Sequence, residues 1–149
     1  MSLGRKIERS YPYTLALVSA PGWFYLARWL NLSTQEAKDL FAAILNVSAI
    51  AAGFLGTAAS VLLGMGSVAA MKDLKQSGAL VLLNSYIISA IRHQFWLILF
   101  SVSLLLLYPK IHSPRLLMTL VVTWGVSAVL AALSSFRIVH LFGKIITAD

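Results

Sequence analysis

The chain contains no cysteine and very little charge. Without cysteine there can be no disulfide framework, no thiol nucleophile and no thiolate metal site. Charged residues make up 11% of the 149 residues, whereas soluble domains carry about 25%. Because 59% of the residues are hydrophobic, the chain has too few polar groups to cover its own surface. The composition therefore predicts an integral membrane protein.

Recognisable catalytic motifs are missing as well. The uncharged runs contain no Asp, Glu or Lys near their centres, so the usual carriers of a proton or cation relay are absent. The three histidines, His93, His112 and His140, share no metal-ligand spacing with one another or with a carboxylate. We therefore expect no enzymatic activity, no metal site and no cofactor.

Uncharged intervals predict the membrane-crossing helices, because a charged side chain is costly in hydrocarbon and about 20 helical residues cross a core of about 30 Å. They indicate an all-α, polytopic fold that forms one membrane domain. Its four spans are expected at about residues 11–30, 40–71, 79–108 and 114–137. Pro21 and Gly22 predict a kink in the first span. A cleaved signal peptide is the alternative interpretation of that segment.

Two local patterns predict helix starts. Ser33 and Glu36 have the spacing of a capping box before the second span. Ser113 and Pro114 form an N-cap and first-turn pair before the fourth.

Basic residues predict the orientation, since Lys and Arg accumulate on the cytoplasmic side of a membrane. Eight lie on one side of the predicted spans and four on the other: Arg5, Lys6, Arg9, Lys72, Lys75, Arg92, Arg137 and Lys144 against Arg28, Lys38, Lys110 and Arg115. We therefore expect both termini in the cytoplasm. The net charge of +7 is interpreted as topology and contact with anionic lipid, and not as nucleic-acid binding.

The second and third uncharged intervals are too long for the bilayer. Helices over 40–71 and 76–109 would measure about 48 and 51 Å against a core of about 30 Å. We expect the excess to project into the cytosol as an antiparallel helical hairpin. Its apolar surface predicts a cover, either a cytosolic protein or neighbouring copies of this chain. The expected docking residues are Lys72, Lys75, Leu82, Tyr86 and Arg92. In the alternative interpretation, residues 80–91 lie flat in the membrane interface.

Small residues recur at every fourth position of the second span, and such a row lets another helix approach closely. The row consists of Ser48, Ala52, Gly56, Ser60 and Gly64. Its partner is a helix of the same chain or of a second copy, and a shorter row on the fourth span includes Gly125. Asn46 and Asn84 are expected to bond a neighbouring helix, with a pore-lining role as the alternative.

The stretch Gly53-Phe54-Leu55-Gly56-Thr57, then Ser60-Val61-Leu62-Leu63 and a Lys-Asp-Leu-Lys turn, resembles a loose group of small bacterial four-span proteins. The group includes the membrane subunit of Kiwa-type anti-phage defence systems. The resemblance covers about a third of the chain, implies a location in the bacterial inner membrane and carries over no active-site residue. It implies a membrane sensor or anchor that is partnered with a cytosolic effector.

Together these features predict a non-enzymatic, homo-oligomeric scaffold or sensor that anchors a cytosolic partner. A pore or channel, such as a holin or a membrane-permeabilising effector, is the alternative function. A small transporter is less well supported, because the sequence shows neither paired halves nor a binding group at mid-membrane.

Overall fold

The computed structural model describes residues 3–30, 33–64 and 79–146. Within these residues the regular structure is entirely helical. It comprises α1 (Leu3–Val18), α2 (Ala20–Leu30), α3 (Thr34–Gly64), α4 (Ala79–Leu107), a short 3-10 turn (Tyr108–Lys110) and α5 (Pro114–Ile146). Three of the helices, α3, α4 and α5, are long and apolar enough to cross a membrane. The all-α prediction is confirmed for the described part of the chain, and the count of four spans stays a prediction.

The first apolar segment is two helices and not one. Pro21 has no N–H to donate to the carbonyl of Leu17, so the helical hydrogen-bond ladder is broken there. At the break the Ser19 N–H is shared between the carbonyls of Leu15 and Ala16, at 3.0 and 3.2 Å. The Ser19 hydroxyl also donates to Ala16, at 2.6 Å. The chain therefore changes direction two residues before Pro21, and α1 and α2 both pack against α5.

Both predicted helix starts are observed. The Glu36 carboxylate accepts hydrogen bonds from the Ser33 N–H at 2.8 Å and the Ser33 hydroxyl at 2.6 Å. The Glu36 N–H donates back to the Ser33 hydroxyl oxygen at 3.3 Å, which completes the capping box. Helix α5 begins at Pro114, and the carbonyl of Ser113 accepts its first hydrogen bond, from Leu117 at 3.0 Å.

The fourth predicted span is part of a much longer helix. The uncharged run ends before Arg137, but α5 continues to Ile146 and is the longest helix described, at 33 residues. A charged side chain raises the cost of burial in lipid without breaking the backbone ladder, and Arg and Lys are good helix formers. The end of an uncharged run therefore marks a possible membrane boundary and not the end of the helix.

Helix α4 lies between α3 and α5, which make few contacts with each other. Apart from Tyr86, its buried residues are spaced alternately by four and three positions, which places them along one seam, as in a heptad repeat. They are Leu83, Ile87, Ala90, Gln94, Leu97, Ser101 and Leu104. Helices α3, α4 and α5 run in alternating directions. The turn at Tyr108–Lys110 therefore lies at one end of the bundle, the near end, and Gly64, Ala79 and Ile146 lie at the other, the far end.

The core has two parts. Near the turn it consists of Ala37, Phe41, Leu97, Leu104, Trp124 and Ala131. Towards the far end it consists of Leu55, Leu83, Tyr86, Ile87, Ala90 and Ile138. The second part of the core corrects one prediction from the sequence. That prediction is that one neighbouring helix leaves the apolar surface of residues 80–91 uncovered. Because α5 extends past Arg137, Ile138 packs on Tyr86 and Ile87 from within the same chain. Val81, Leu82 and Ile88 remain exposed.

Helix α4 is continuous from Ala79 to Leu107. Residues 80–91 therefore belong to the same helix as residues 92–107, and the alternative in which they lie flat in the interface stays untested. The tip of the expected hairpin, including Lys72, Lys75 and the turn at 76–78, lies outside the described residues. Projection of the hairpin into the cytosol stays a prediction.

Candidate functional site

A line of buried polar side chains, the polar seam, joins α4 to α5. The Trp124 indole N–H donates to the Ser101 hydroxyl at 2.9 Å. The Gln94 amide donates to the Ser135 hydroxyl at 2.9 Å and to the Ala131 carbonyl at 3.3 Å. A buried polar group is costly unless it is hydrogen-bonded, so a shift of either helix would break both pairs. The seam therefore fixes the register of α4 against α5.

His93 extends this seam to the first helix. The Ser134 hydroxyl donates its proton to the Leu130 carbonyl at 2.7 Å, so its oxygen accepts the hydrogen bond from His93 Nδ1 at 2.9 Å. In the neutral imidazole this leaves Nε2 as an acceptor. The Tyr13 hydroxyl approaches Nε2 at 3.5 Å, and the two rings meet edge to face with centroids 5.6 Å apart. His93 therefore links α1 to α5 through hydrogen bonds on both ring nitrogens.

Arg137 is the one described Lys or Arg side chain that is buried. Its guanidinium carbon lies 3.8 Å from the centroid of the Tyr86 ring. The exposed fractions of the two side chains are 5% for Arg137 and 4% for Tyr86. Stacking on an aromatic face is favourable for a guanidinium, and more so where water is excluded. Tyr86 therefore holds a cationic group in a fixed plane inside the bundle.

This stacked pair forms one wall of a cavity of about 300 Å³, here called the arginine cavity. Its described lining residues are Tyr13, Ser85, Tyr86, Ile88, Ser89, Arg92 and Arg137. All of them except Ile88 carry a side-chain hydrogen-bond donor, and none is an Asp or Glu. A helix rises 1.5 Å per residue, which places Arg137 about 34 Å along α5 from Pro114. The cavity can thus present two guanidinium groups and several hydroxyls to one anionic group.

Aromatic rings dominate the near end of the bundle. Trp124 meets Trp23 edge to face with centroids 6.1 Å apart, and Phe41 in the same manner at 4.9 Å. Phe41 in turn contacts Tyr108 at 5.6 Å. A Cβ atom at Gly125 would overlap the Trp23 indole, whose Cε2 would lie 2.6 Å away. Gly125, which the sequence assigned to a small-residue row, is therefore the position that lets α2 approach α5.

The longer row of small residues, on α3, is less closely packed than Gly125. Ser48 is buried, Ala52 and Gly56 are half-buried, and Ser60 and Gly64 are exposed. A Cβ atom added at Gly56 or Gly64 would meet no heavy atom within 4 Å. Within the described protomer only the first member of the row is fully packed. Packing of the rest against a second copy stays a prediction.

The expected docking residues lie in different environments. Leu82 and Arg92 are exposed, but Tyr86 is covered by Arg137 and has no surface to offer a partner in this protomer. Lys72 and Lys75 lie outside the described residues. Docking at this end of the bundle stays a prediction.

Among the described residues, the two asparagines have no side-chain partner on a neighbouring helix. Asn46 is exposed on α3, and neither Asn46 nor Asn84 makes a side-chain hydrogen bond to a described residue. Instead Gln94, His93, Ser101 and Arg137 carry the polar contacts. Their spacing held a signal, because Tyr86, His93 or Gln94, and Ser101 recur at intervals of about one heptad along one face of α4. The partners on α5 and α1 could not be identified from spacing alone.

Groups of three or more His, Asp or Glu side chains that could hold a metal ion do not occur among the described residues. Comparison of the chain with protein-family models, with curated proteins and with solved structures gives no match in any of the three. The function of the protein is therefore inferred from the geometry of its helices.

Proposed function

We propose that this chain is a four-pass, non-enzymatic membrane protein of the bacterial inner membrane, which self-associates through α3 and holds a soluble protein at the cytosolic end of the bundle. The observation that carries the proposal is the outward face of α3. It is apolar, lined with small residues, and not covered by the described residues of the other helices.

The exterior of the bundle supports the membrane location. On α3 the exposed fractions of Val47, Ile50 and Phe54 are 62%, 74% and 63%. Comparable exposed side chains occur on α4 and α5, for example Trp96 at 62% and Phe136 at 66%. A monomer in water rarely exposes an apolar surface of this extent, because its hydration is unfavourable. A lipid bilayer removes that cost.

The spacing on α3 supports self-association. Among the exposed positions of α3, one row has alternating intervals of four and three residues, the period of a helix–helix seam. Its members are Asn46, Ile50, Gly53, Thr57, Ser60 and Gly64. Small residues allow close approach of a second helix, and an amide in hydrocarbon is stabilised by a hydrogen bond across the interface. A second copy of α3 would supply both.

A pore is the second candidate, because Asn46, Thr57 and Ser60 give the same face some polarity. The hydroxyls do not require water, however. Thr57 donates to the Gly53 carbonyl and Ser60 to the Gly56 carbonyl, each at 3.0 Å. Such bonds back to the same helix satisfy a hydroxyl in lipid. Ion flux through liposomes that contain the purified protein would favour the pore, and absence of flux would favour the scaffold.

The soluble partner is expected at the far end of the bundle, where Leu82 and Ile88 are exposed beside Arg92. A role in anti-phage defence, with a cytosolic effector as the partner, follows from the resemblance to Kiwa-type membrane subunits. Recovery of one specific protein with the chain from mild detergent is the direct test. Repeated recovery of the chain alone contradicts the anchoring role.

Self-association can be tested without disturbing the protomer. A Cβ atom at Gly53 meets no heavy atom within 4 Å, so Gly53→Leu alters only the outward face of α3. We expect it to shift the protein from oligomer to monomer in detergent, measured by light scattering on a sizing column. Ala132→Leu, at an exposed position of α5, is the matched control and should leave the oligomer intact. An unchanged oligomer in Gly53→Leu excludes α3 as the interface.

A further inference from the structure

The geometry points to a phosphate-binding site in the arginine cavity, between α1, α4 and α5, with the headgroup of an anionic membrane lipid as its source of phosphate. The inference rests on the proposed membrane location. It goes beyond the scaffold role because it names a ligand class and the residues that bind it.

The residues that line the arginine cavity have the chemistry that a phosphate group requires. A phosphate diester carries one negative charge and several acceptor oxygens but no proton to donate. The arginine cavity presents complementary groups: the guanidinium groups of Arg92 and Arg137 and the hydroxyls of Ser85 and Ser89. Arginine is suited to phosphate because its planar fork can donate two parallel hydrogen bonds.

Two side chains of the arginine cavity are held in position before any ligand binds. Arg137 is held in one plane by the Tyr86 ring, 3.8 Å from its guanidinium carbon. Tyr13, on the opposite wall, is oriented by its contact with His93, which Ser134 fixes in turn. These contacts limit the conformational entropy that a ligand would otherwise have to remove on binding. Arg92 also lines the cavity and is exposed.

The position of the arginine cavity along α5 also suits a lipid headgroup. Arg137 lies about 34 Å along α5 from Pro114, whereas the hydrocarbon core is about 30 Å thick. A bundle whose near end lies at one membrane surface thus brings the cavity to the level of the opposite headgroups. Ile88, which is 57% exposed, also lines the cavity, so an apolar side chain adjoins the basic groups. Basic pockets between helices at this level are the usual binding sites for anionic headgroups.

The test uses the full chain in detergent, with dioctanoyl phosphatidylglycerol, dioctanoyl phosphatidylcholine and inorganic phosphate as separate probes. Binding is measured by native mass spectrometry and by the shift of the thermal midpoint. We expect the wild type to bind phosphatidylglycerol in preference to phosphatidylcholine. Arg92→Gln should weaken that binding about tenfold, the usual effect of losing one charge-assisted hydrogen bond. Arg115→Gln removes the same charge from an exposed position outside the cavity and should bind as the wild type does.

A second variant guards against an effect of Arg92 on folding. Ser85 is exposed and lines the cavity, so Ser85→Asp adds a repelling charge at little structural cost. It should also abolish the preference for phosphatidylglycerol. Equal binding by Arg92→Gln, Ser85→Asp and Arg115→Gln overturns the site. A third outcome is that inorganic phosphate stabilises the wild type but neither lipid does, and that Arg92→Gln loses this stabilisation. That result assigns the site to free phosphate and excludes the lipid as its source.

If the proposed membrane location is wrong, the experiment gives a different result from the one expected if only the binding site is wrong. A wild-type chain that stays in solution without detergent contradicts the membrane proposal and with it the lipid headgroup. In that case the inorganic phosphate probe still decides whether the cavity binds phosphate. A chain that needs detergent but shows no preference between the two lipids contradicts the binding site alone.

Discussion

The guanidinium of Arg137 and the ring of Tyr86 lie face to face 3.8 Å apart, one on α5 and the other on α4. The contact is at the point where the uncharged run of α5 ends and the second part of the core begins. An isolated cation at this depth would be costly, and a stacked aromatic face lowers that cost. The pair therefore stabilises the bundle and shapes the arginine cavity at the same time.

The Tyr86 ring should account for most of this stabilisation. In Tyr86→Leu the guanidinium loses its aromatic face, and a small void replaces the ring. We expect the free energy of unfolding to fall by about 2 kcal/mol or more, measured by thermal or denaturant unfolding in detergent. Tyr86→Phe keeps the ring face and should stay close to the wild type. If the two variants are equally destabilised, the hydroxyl and not the ring face is the important group.

The Trp124–Ser101 hydrogen bond should be important for stability because both partners are buried. Ser101→Ala leaves the indole N–H without an acceptor, and a buried donor without a partner costs about 1–3 kcal/mol. The loss is read from the midpoint of unfolding monitored by tryptophan fluorescence. Ser103→Ala is the matched control, since Ser103 is exposed and donates only to the Leu99 carbonyl of its own helix. A comparable loss in Ser103→Ala would mean that the effect is one of helix propensity.

Two glycines predict opposite effects of the same substitution. Gly125→Ala places a methyl group against the Trp23 indole and should destabilise the protein by about 1–3 kcal/mol. Gly53→Ala meets no atom of the protomer, so the helix propensity of alanine should leave stability equal or raise it by up to about 1 kcal/mol. Unfolding of the two variants in the same detergent gives the comparison. A stabilised Gly125→Ala would contradict the close contact of α2 with α5.

The absence of cysteine allows the membrane boundary on α4 to be mapped directly. Single cysteines at Leu82 and Trp96, both exposed in the protomer, should differ in their reaction with a water-soluble maleimide in intact membranes. We expect Leu82→Cys to react from the cytosolic side and Trp96→Cys to be protected by lipid. Protection at both positions would defeat the projection of α4 beyond the bilayer.

The starts of two helices could be predicted because they depend on neighbouring residues. Ser33 and Glu36 are three positions apart and satisfy each other's backbone groups, so spacing alone identifies the capping box. The end of α5 could not be predicted in the same manner. Arg137 and Lys144 interrupt the uncharged run, but a helix ends only where its backbone hydrogen bonds end.

The residues of the arginine cavity were the least predictable part of the molecule. From the sequence alone, Tyr86 and Arg92 are expected to face a soluble partner, and Arg137 is a topological charge in a basic tail that holds the same partner. Tyr13 and His93, which meet across the bundle, are 80 positions apart in sequence. Their meeting depends on the rotation of each helix about its axis, which the packing of Leu83, Ile87 and Ile138 decides.

By itself the sequence determined that the chain is helical and apolar, where α3 and α5 begin, and that no thiol chemistry is available. Those properties follow from composition and from hydrogen bonds between neighbours. Only the tertiary structure decided which polar residues meet, that α5 covers the inner part of α4, and that Gly125 is filled by an indole while Gly53 is open. Contacts between helices depend on how whole surfaces fit together, and a one-dimensional pattern does not fix the partner of each surface.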